Sequence, residues 1–300
     1  MMTEKLARGI WPALCTGFDD TAEHVATDRI QALLRTLIDA GSNGFFVCGG
    51  TGEGRFMSVA ERKSVAEVAA AEVAGAVPII LQVGGASTED AIALAQHAAR
   101  TQGINAVASV APIDQPNDLD AAVEHYTAIG AATDLPFYVY WLMGEADKRV
   151  TADRFLEAMQ GVPHFAGVKF TDYNLYLFGQ LIDRSGGAIN AISGPDEMAL
   201  PAMVMGAEAA IGTTYNIMPK LYLQMRAAFE GGRLDEAMDC QNRANRVIRI
   251  LIEHGVLAGV KAMLGWRGTP VGPPRQGAPL SAIAEKALRA DIAALDFDVA

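Results

Sequence analysis

The 300-residue sequence has very little cysteine: Cys15, Cys48 and Cys240 are all it carries. They are odd in number and widely spaced, with no Cys-x-x-Cys pair. That pattern excludes a disulfide framework and a zinc ribbon. Cys15 and Cys48 fall in apolar runs, so buried free thiols in a reducing compartment are expected. The five histidines show no metal-ligand spacing. No apolar run approaches the ~18 residues of a membrane span, and residues 1–9 hold no apolar signal core. Positive charge is also scarce, with 24 Lys+Arg against 35 Asp+Glu and a net charge of −11. This argues against nucleic acid and anionic membranes as partners. A cytoplasmic protein is expected.

What is present is apolar: 51% hydrophobic residues and 30 glycines. A sizeable core follows, and disorder is disfavoured. Short apolar strands are expected at 10–18, 44–48, 78–83, 106–110, 136–140, 165–171, 188–193 and 209–214. Amphipathic helices alternate with them. The first runs over 27–40, with Thr27 as cap and Gly41 as stop. Ser58 opens another as a capping box with Glu61. Ser87 and Thr151 open two more, and others begin near Leu119, Asp196 and Pro219. Alternating strands and helices demand right-handed crossovers and a parallel sheet. Eight such units over roughly 230 residues is the length of a closed (β/α)₈ TIM barrel. An open doubly wound sheet is the alternative, disfavoured because no Gly-x-Gly-x-x-Gly follows the first strand. The expected division is an α/β barrel over 1–232 and a C-terminal helical extension over 233–300, with a Gly/Pro-rich break at 265–279.

Around the sixth strand the text reads Phe165-Ala166-Gly167-Val168-Lys169-Phe170-Thr171. A lysine ending a buried strand either snorkels to water or is held desolvated. Desolvation lowers the amine's pKa and frees it as a nucleophile. In a barrel the active residues sit at the C-terminal ends of the strands. That rule gathers Gly50, Thr51, Gly52 and Glu53 after strand two, and Ile113 and Asp114 after strand four. It adds Tyr140 on strand five, Lys169 and Thr171 on strand six, and Gly194, Asp196 and Glu197 after strand seven. Thr213, Thr214 and Tyr215 follow from strand eight. All are expected to face one mouth. A neutral lysine there can attack a ketone and form an imine, an electron sink for an adjacent C–C bond. A phenol can move the protons. Backbone N–H groups in the Gly-Gly-Thr-Gly turn, with the Thr51 hydroxyl, can hold a carboxylate. The set fits a class I aldolase acting on a 2-keto acid. Each piece has a plainer reading: a tight connection at 49–54, a packed aromatic at Tyr140, helix-start acids at Asp196 and Glu197.

Three motifs carry a resemblance: Gly49-Gly50-Thr51-Gly52-Glu53, Gly167-Val168-Lys169-Phe170-Thr171 and Ile211-Gly212-Thr213-Thr214-Tyr215-Asn216-Ile217-Met218. From about residue 10 to 222 the chain resembles the pyruvate-dependent class I aldolases, the dihydrodipicolinate synthase and N-acetylneuraminate lyase family. Gly194-Pro195-Asp196-Glu197 resembles the sugar-contacting segment of the lyase branch. The resemblance implies Lys169 as the imine-forming lysine and Tyr140 as the acid/base phenol. It implies Gly50 and Thr51 at the pyruvate carboxylate, and Thr171, Gly194, Asp196, Glu197 and Thr213 at the polyhydroxyl part of the substrate. It further implies a homotetramer, a small-molecule 2-keto acid as partner, and no metal or other cofactor beyond the covalent lysine imine.

The chain departs from the family pattern at four places. Gly50 stands where a hydroxyl residue is usual, and Asp114 where a tyrosine shared with a neighbouring subunit is usual. Tyr140-Trp141-Leu142-Met143 replaces Tyr-Asn-x-Pro, and Glu145 occupies the region of an arginine that the synthase uses. The expected activity is a lyase that cleaves a 2-keto-3-deoxy sugar acid, such as N-acetylneuraminate, to pyruvate and an aldehyde. The alternatives are a dehydratase working through the same imine, a synthase-like condensation, and a barrel that only senses a keto acid.

Overall fold

The computed structural model describes residues 5–115, 118–142 and 150–299. Met143 and Glu145 therefore lie outside the described residues. The eight strands are β1 (Gly9–Pro12), β2 (Phe45–Val47), β3 (Ile79–Gln82), β4 (Ala106–Ser109), β5 (Phe137–Leu142), β6 (Phe165–Thr171), β7 (Asn190–Ser193) and β8 (Ala209–Gly212). They pair in parallel in the order β1-β8-β7-β6-β5-β4-β3-β2. A single parallel bridge, Ala13 to Phe46, brings the two ends of the sheet together. The fold is a (β/α)₈ barrel, as the alternation of elements requires.

Period-two alternation sorts the strand residues into two cores. Trp11, Phe46, Ile80, Ala106, Ala108, Tyr138, Tyr140, Ile192, Ala209 and Ile211 fill the barrel interior. Their neighbours in the chain face outward under the helices α1 (Thr27–Asp39), α2 (Val59–Val73), α3 (Thr88–Arg100), α4 (Leu119–Gly130), α5 (Ala152–Met159), α6 (Leu175–Arg184), α7 (Ala199–Val204) and α8 (Pro219–Glu230). The small Ala106, Ala108 and Ala209 share that interior with Tyr138 and Tyr140, Ala108 pairing directly with Tyr138 in the ladder.

The expected caps hold at three helices. Ser58 accepts from the Glu61 N–H while the Glu61 carboxylate accepts from the Ser58 N–H. Such a cap contributes about 1 kcal/mol. Ser87 and Thr151 each cap through their side chains. Thr27 does not cap: it is the first helical residue, and Ala26 holds the cap position through its backbone alone. The first strand is also shorter than the apolar run 10–18 suggested. Ala13 and Leu14 still donate to Gly212 and Phe46, but beyond them the chain leaves the ladder, and the Phe18 N–H turns to the carbonyl of Val271. The apolarity there serves packing against the C-terminal region. That region comprises α9 (Leu234–His254), α10 (Val256–Trp266) and α11 (Ala282–Ala293), with an irregular segment between α10 and α11. Cys15, Cys48 and Cys240 are free and buried. Among the described residues, no helix is long and apolar enough to cross a membrane.

Candidate active site

Strands β5 and β6 place the central pair. Tyr140 and Lys169 are direct neighbours in the ladder and share the inward face. A register irregularity beside Phe137 and Tyr138 lets Phe137 pair with Phe165 while Tyr138 pairs with Gly167. A bulge of this kind resets which residues point inward. Gly167 is required there, because a Cβ would lie 2.1 Å from the carbonyl oxygen of Asn190.

Lys169 is 4% exposed. Its Nζ lies 3.6 Å from the centroid of the Tyr140 ring and 4.8 Å from that of Phe46. It makes one long hydrogen bond, 3.5 Å, to Thr171 Oγ1. Burial with so little polar compensation disfavours the ammonium. The amine falls from 10.5 to about 7, with the charge of Asp196 partly opposing the drop. A desolvated amine near neutrality is a competent nucleophile.

Asp196 begins a 3-10 turn after β7 and is itself buried. Burial raises its carboxyl to about 6, against hydrogen bonds that favour the anion. Its Oδ1 accepts from the Thr213 N–H, and its Oδ2 accepts from the N–H and hydroxyl of Thr214. Asp196 therefore orders the turn after β8. Thr213 in turn shares a 2.7 Å hydroxyl contact with Thr51, in the turn after β2. Gly194 has no room for a side chain, since a Cβ would sit 1.9 Å from Thr171 Oγ1. Glu197 accepts a 2.5 Å hydrogen bond from the Tyr173 hydroxyl. Gly50 is exposed to the mouth, and a Cβ there would lie 3.7 Å from the Tyr140 hydroxyl oxygen. Packing would accept a hydroxyl residue at this position.

Thr171, Gly194, Asp196, Glu197 and Thr213 line one cavity of about 240 Å³. Lys169 touches it through Thr171, and Thr51 through Thr213. The opposite wall comes from Ile248 and Ile252 on α9 and Val256 on α10. These three were not expected from the sequence; their helical text gives no hint of a mouth.

Ile113, Asp114, Tyr215 and Glu53, all expected at the mouth, lie elsewhere, Glu53 being fully buried. Asp114 is exposed and lines a separate cavity of about 480 Å³ with Ser87, Thr88, Glu89 and His125. The fourth loop turns outward at Ile113, which is 44% exposed. Trp141 is not part of the mouth: it packs on Phe155 and Phe170 in the outer core. Tyr215 is fully buried against Tyr222. Thr214, beside it, spends its hydroxyl on Asp196 and Tyr222. Tyr138, two residues before Tyr140 on the same inward face, lies deeper in the barrel and donates to Asn190 Oδ1. Burial raises its phenol well above the usual range.

The electrostatics carry a pH signature. The rate of imine formation with pyruvate should rise as pH climbs through about 7 and level above it, because the neutral amine is the reacting form. Asp196→Asn removes the charge that favours the ammonium, so the inflection should move to lower pH. Stopped-flow trapping across pH 5–9 (roughly the range bracketing His-like titrations) checks both. An unmoved inflection in the Asn variant would mean Asp196 does not set the amine's charge.

Fold and site define a (β/α)₈ barrel with a buried primary amine at its functional end. The chain belongs to the dihydrodipicolinate synthetase family, whose profile matches residues 6–295. With that membership the expectation of a carbon–carbon lyase stands. The chain is 35% identical to N-acetylneuraminate lyase of Rhizobium meliloti over 97% of its own length and 94% of that protein's. It is 33% identical to an uncharacterised DapA-like lyase of Halobacterium salinarum, covering 97% and 93%. Among solved structures, Proteus mirabilis N-acetylneuraminate lyase superposes with a TM-score of 0.91 at 31% identity, covering 98% of this chain and 100% of that one.

Proposed function

We propose that the protein is a class I, pyruvate-releasing lyase of 2-keto-3-deoxy sugar acids, with N-acetylneuraminate as the lead substrate. The observation that carries this reading is the buried Lys169 amine, held near neutrality beside Tyr140. In the proposed cycle the amine attacks the C2 ketone, and the carbinolamine oxygen leaves as water with a proton that solvent passes on from the Tyr140 phenol, giving the protonated imine and a phenolate. Tyr140, as phenolate, takes the proton of the C4 hydroxyl. The C3–C4 bond breaks, its electron pair passes into the imine as an enamine, and the aldehyde departs. Tyr140 returns its proton to C3, and water releases pyruvate and the free lysine. Gly50, Thr51 and the backbone N–H groups around them would hold the carboxylate. Thr171, Gly194, Asp196, Glu197 and Thr213 would face the hydroxylated chain. No metal or other cofactor is needed for these steps. A homotetramer, a cytoplasmic location, and a division into barrel 1–232 and extension 233–300 complete the proposal.

One observation favours a second reading. Position 50 itself supplies no hydroxyl to a proton relay: it is glycine, at a point where a Cβ would lie 3.7 Å from the Tyr140 hydroxyl oxygen. The same imine can instead expel a hydroxyl from the substrate, as a dehydratase does. A coupled assay across sialic acid and shorter keto-deoxy acids separates the two. The lyase reading expects one pyruvate per substrate consumed. Substrate loss with an intact carbon chain and no pyruvate would assign the dehydratase. Tight binding with no turnover would leave a sensor.

A further inference from the structure

The turn that carries Gly50 and Thr51 is not held by the barrel alone. Two residues past Thr51, Glu53 adopts φ of +56° and is fully buried. The left-handed region is strained for a side chain of this size, so something must hold it. Its Oε2 accepts hydrogen bonds of 2.6 Å from the N–H groups of both Arg275 and Gln276. Its Oε1 lies 2.7 Å from Nζ of Lys261 on α10. That contact is ionic and lacks good hydrogen-bond angles. Lys261 is itself buried and donates to the carbonyls of Thr16 and Pro273. The Thr16 hydroxyl closes the ring by donating to Gly52 O at 2.6 Å. Arg275 spreads its guanidinium over the carbonyls of Ala22, Glu23 and Phe56 and pairs with Glu61. Every ligand of the Glu53 carboxylate thus comes from the C-terminal region, more than 200 residues away.

We infer that Glu53 and Lys261 are positioning residues: together they hold the 50–52 turn in the shape that receives the substrate's carboxylate. The C-terminal extension is then a working part of the anion site, although none of its residues in this ring touches the substrate. The inference rests on the proposed role of Gly50 and Thr51. It assigns to the Glu of the Gly-Gly-Thr-Gly-Glu motif a task apart from the reacting atoms.

The probes are pyruvate and its methyl ester, each trapped on Lys169 with borohydride and followed by intact mass. The ester offers the same ketone without the anion. Breaking one half of a buried pair strands a charge and destabilises strongly. The first variant therefore removes both charges, Glu53→Gln with Lys261→Met. The second, Thr16→Val, deletes only the hydroxyl that fixes Gly52 and leaves all charges in place. Both should raise half-saturating pyruvate by about tenfold with the rate at saturation within about twofold, the pattern of lost uniform binding. Ester trapping should be unchanged in both. The inference is overturned if pyruvate half-saturation stays at the parent value, or if acid and ester weaken equally, which would indicate a general loosening of the mouth. Should the double variant fail to fold, Thr16→Val decides on the same criteria. A parent that traps ester and acid alike would overturn the carboxylate reading of Gly50 and Thr51 itself, and the inference with it. A parent that prefers the acid while both variants match it overturns the strap alone.

Discussion

Lys169→Ala protein mixed with pyruvate and borohydride should gain no mass, and its turnover should fall by about 10⁴-fold or more, the scale for removing a covalent nucleophile. The parent should gain a single N-(1-carboxyethyl) adduct, the hydride-reduced imine, under the same conditions. The substitution should not unfold the barrel. Among the described residues Lys169 makes one long hydrogen bond, to Thr171, so its loss strands no buried partner at close range there. It also removes an amine that burial already disfavours. A melting temperature close to the parent's would show that the lost adduct reflects missing chemistry. An adduct that persists in the alanine variant would move the reacting amine elsewhere and remove the foundation of the proposed function.

Tyr140→Phe should part binding from turnover. The ring stays, so the aromatic face 3.6 Å from Nζ and the edge contact with Phe46 are preserved. The amine's surroundings, and hence its readiness to form an imine, should change little. What disappears is the hydroxyl above the mouth. Adduct formation with pyruvate should stay within severalfold of the parent. Turnover of the full substrate should fall by about 10²–10⁴-fold, the range for losing a general acid/base. Steady-state kinetics with borohydride trapping check both halves. Unchanged turnover would free Tyr140 of the proton-transfer role and point to a hydroxyl of the Thr51–Thr213 pair.

Most of the architecture was legible because it rests on local signals. Ser58 with Glu61 announces a helix start, and a short apolar stretch ending in Lys169 announces a strand with something at its tip. The misplacements have identifiable causes. Tyr215 lies in the 3-10 turn after β8, where strand alternation no longer applies, and it turns inward onto Tyr222. Asp114 follows a strand end, but its loop leaves the mouth, and nothing in Pro112-Ile113-Asp114 encodes that direction. Glu53 was legible as part of a motif but not as a buried ion-pair partner, because its ligands lie across the whole chain. A signal did exist: Lys261 sits in the apolar text Val-Leu-Ala-Gly-Val-Lys-Ala-Met-Leu-Gly-Trp of α10. The reasoning that singled out Lys169 would have flagged it as a cation needing a buried counter-charge.

The way the sheet closes has a mechanical consequence. β5 and β6 pair at six rows, five of them consecutive, whereas β1 meets β2 through one bridge and the hydrogen bonds from Leu14 N–H to Phe46 O and Asn43 N–H to Ile10 O. Slow breathing of the barrel is expected to concentrate at that seam, on the far side from the amine and phenol, and hydrogen exchange at the amides of Ala13 and Leu14 checks it. Lys169 and Tyr140 sit on the arc with the longest run of paired rows. The hinge-prone arc carries the turn after β2, and a carboxylate arriving there would itself help zip the seam shut.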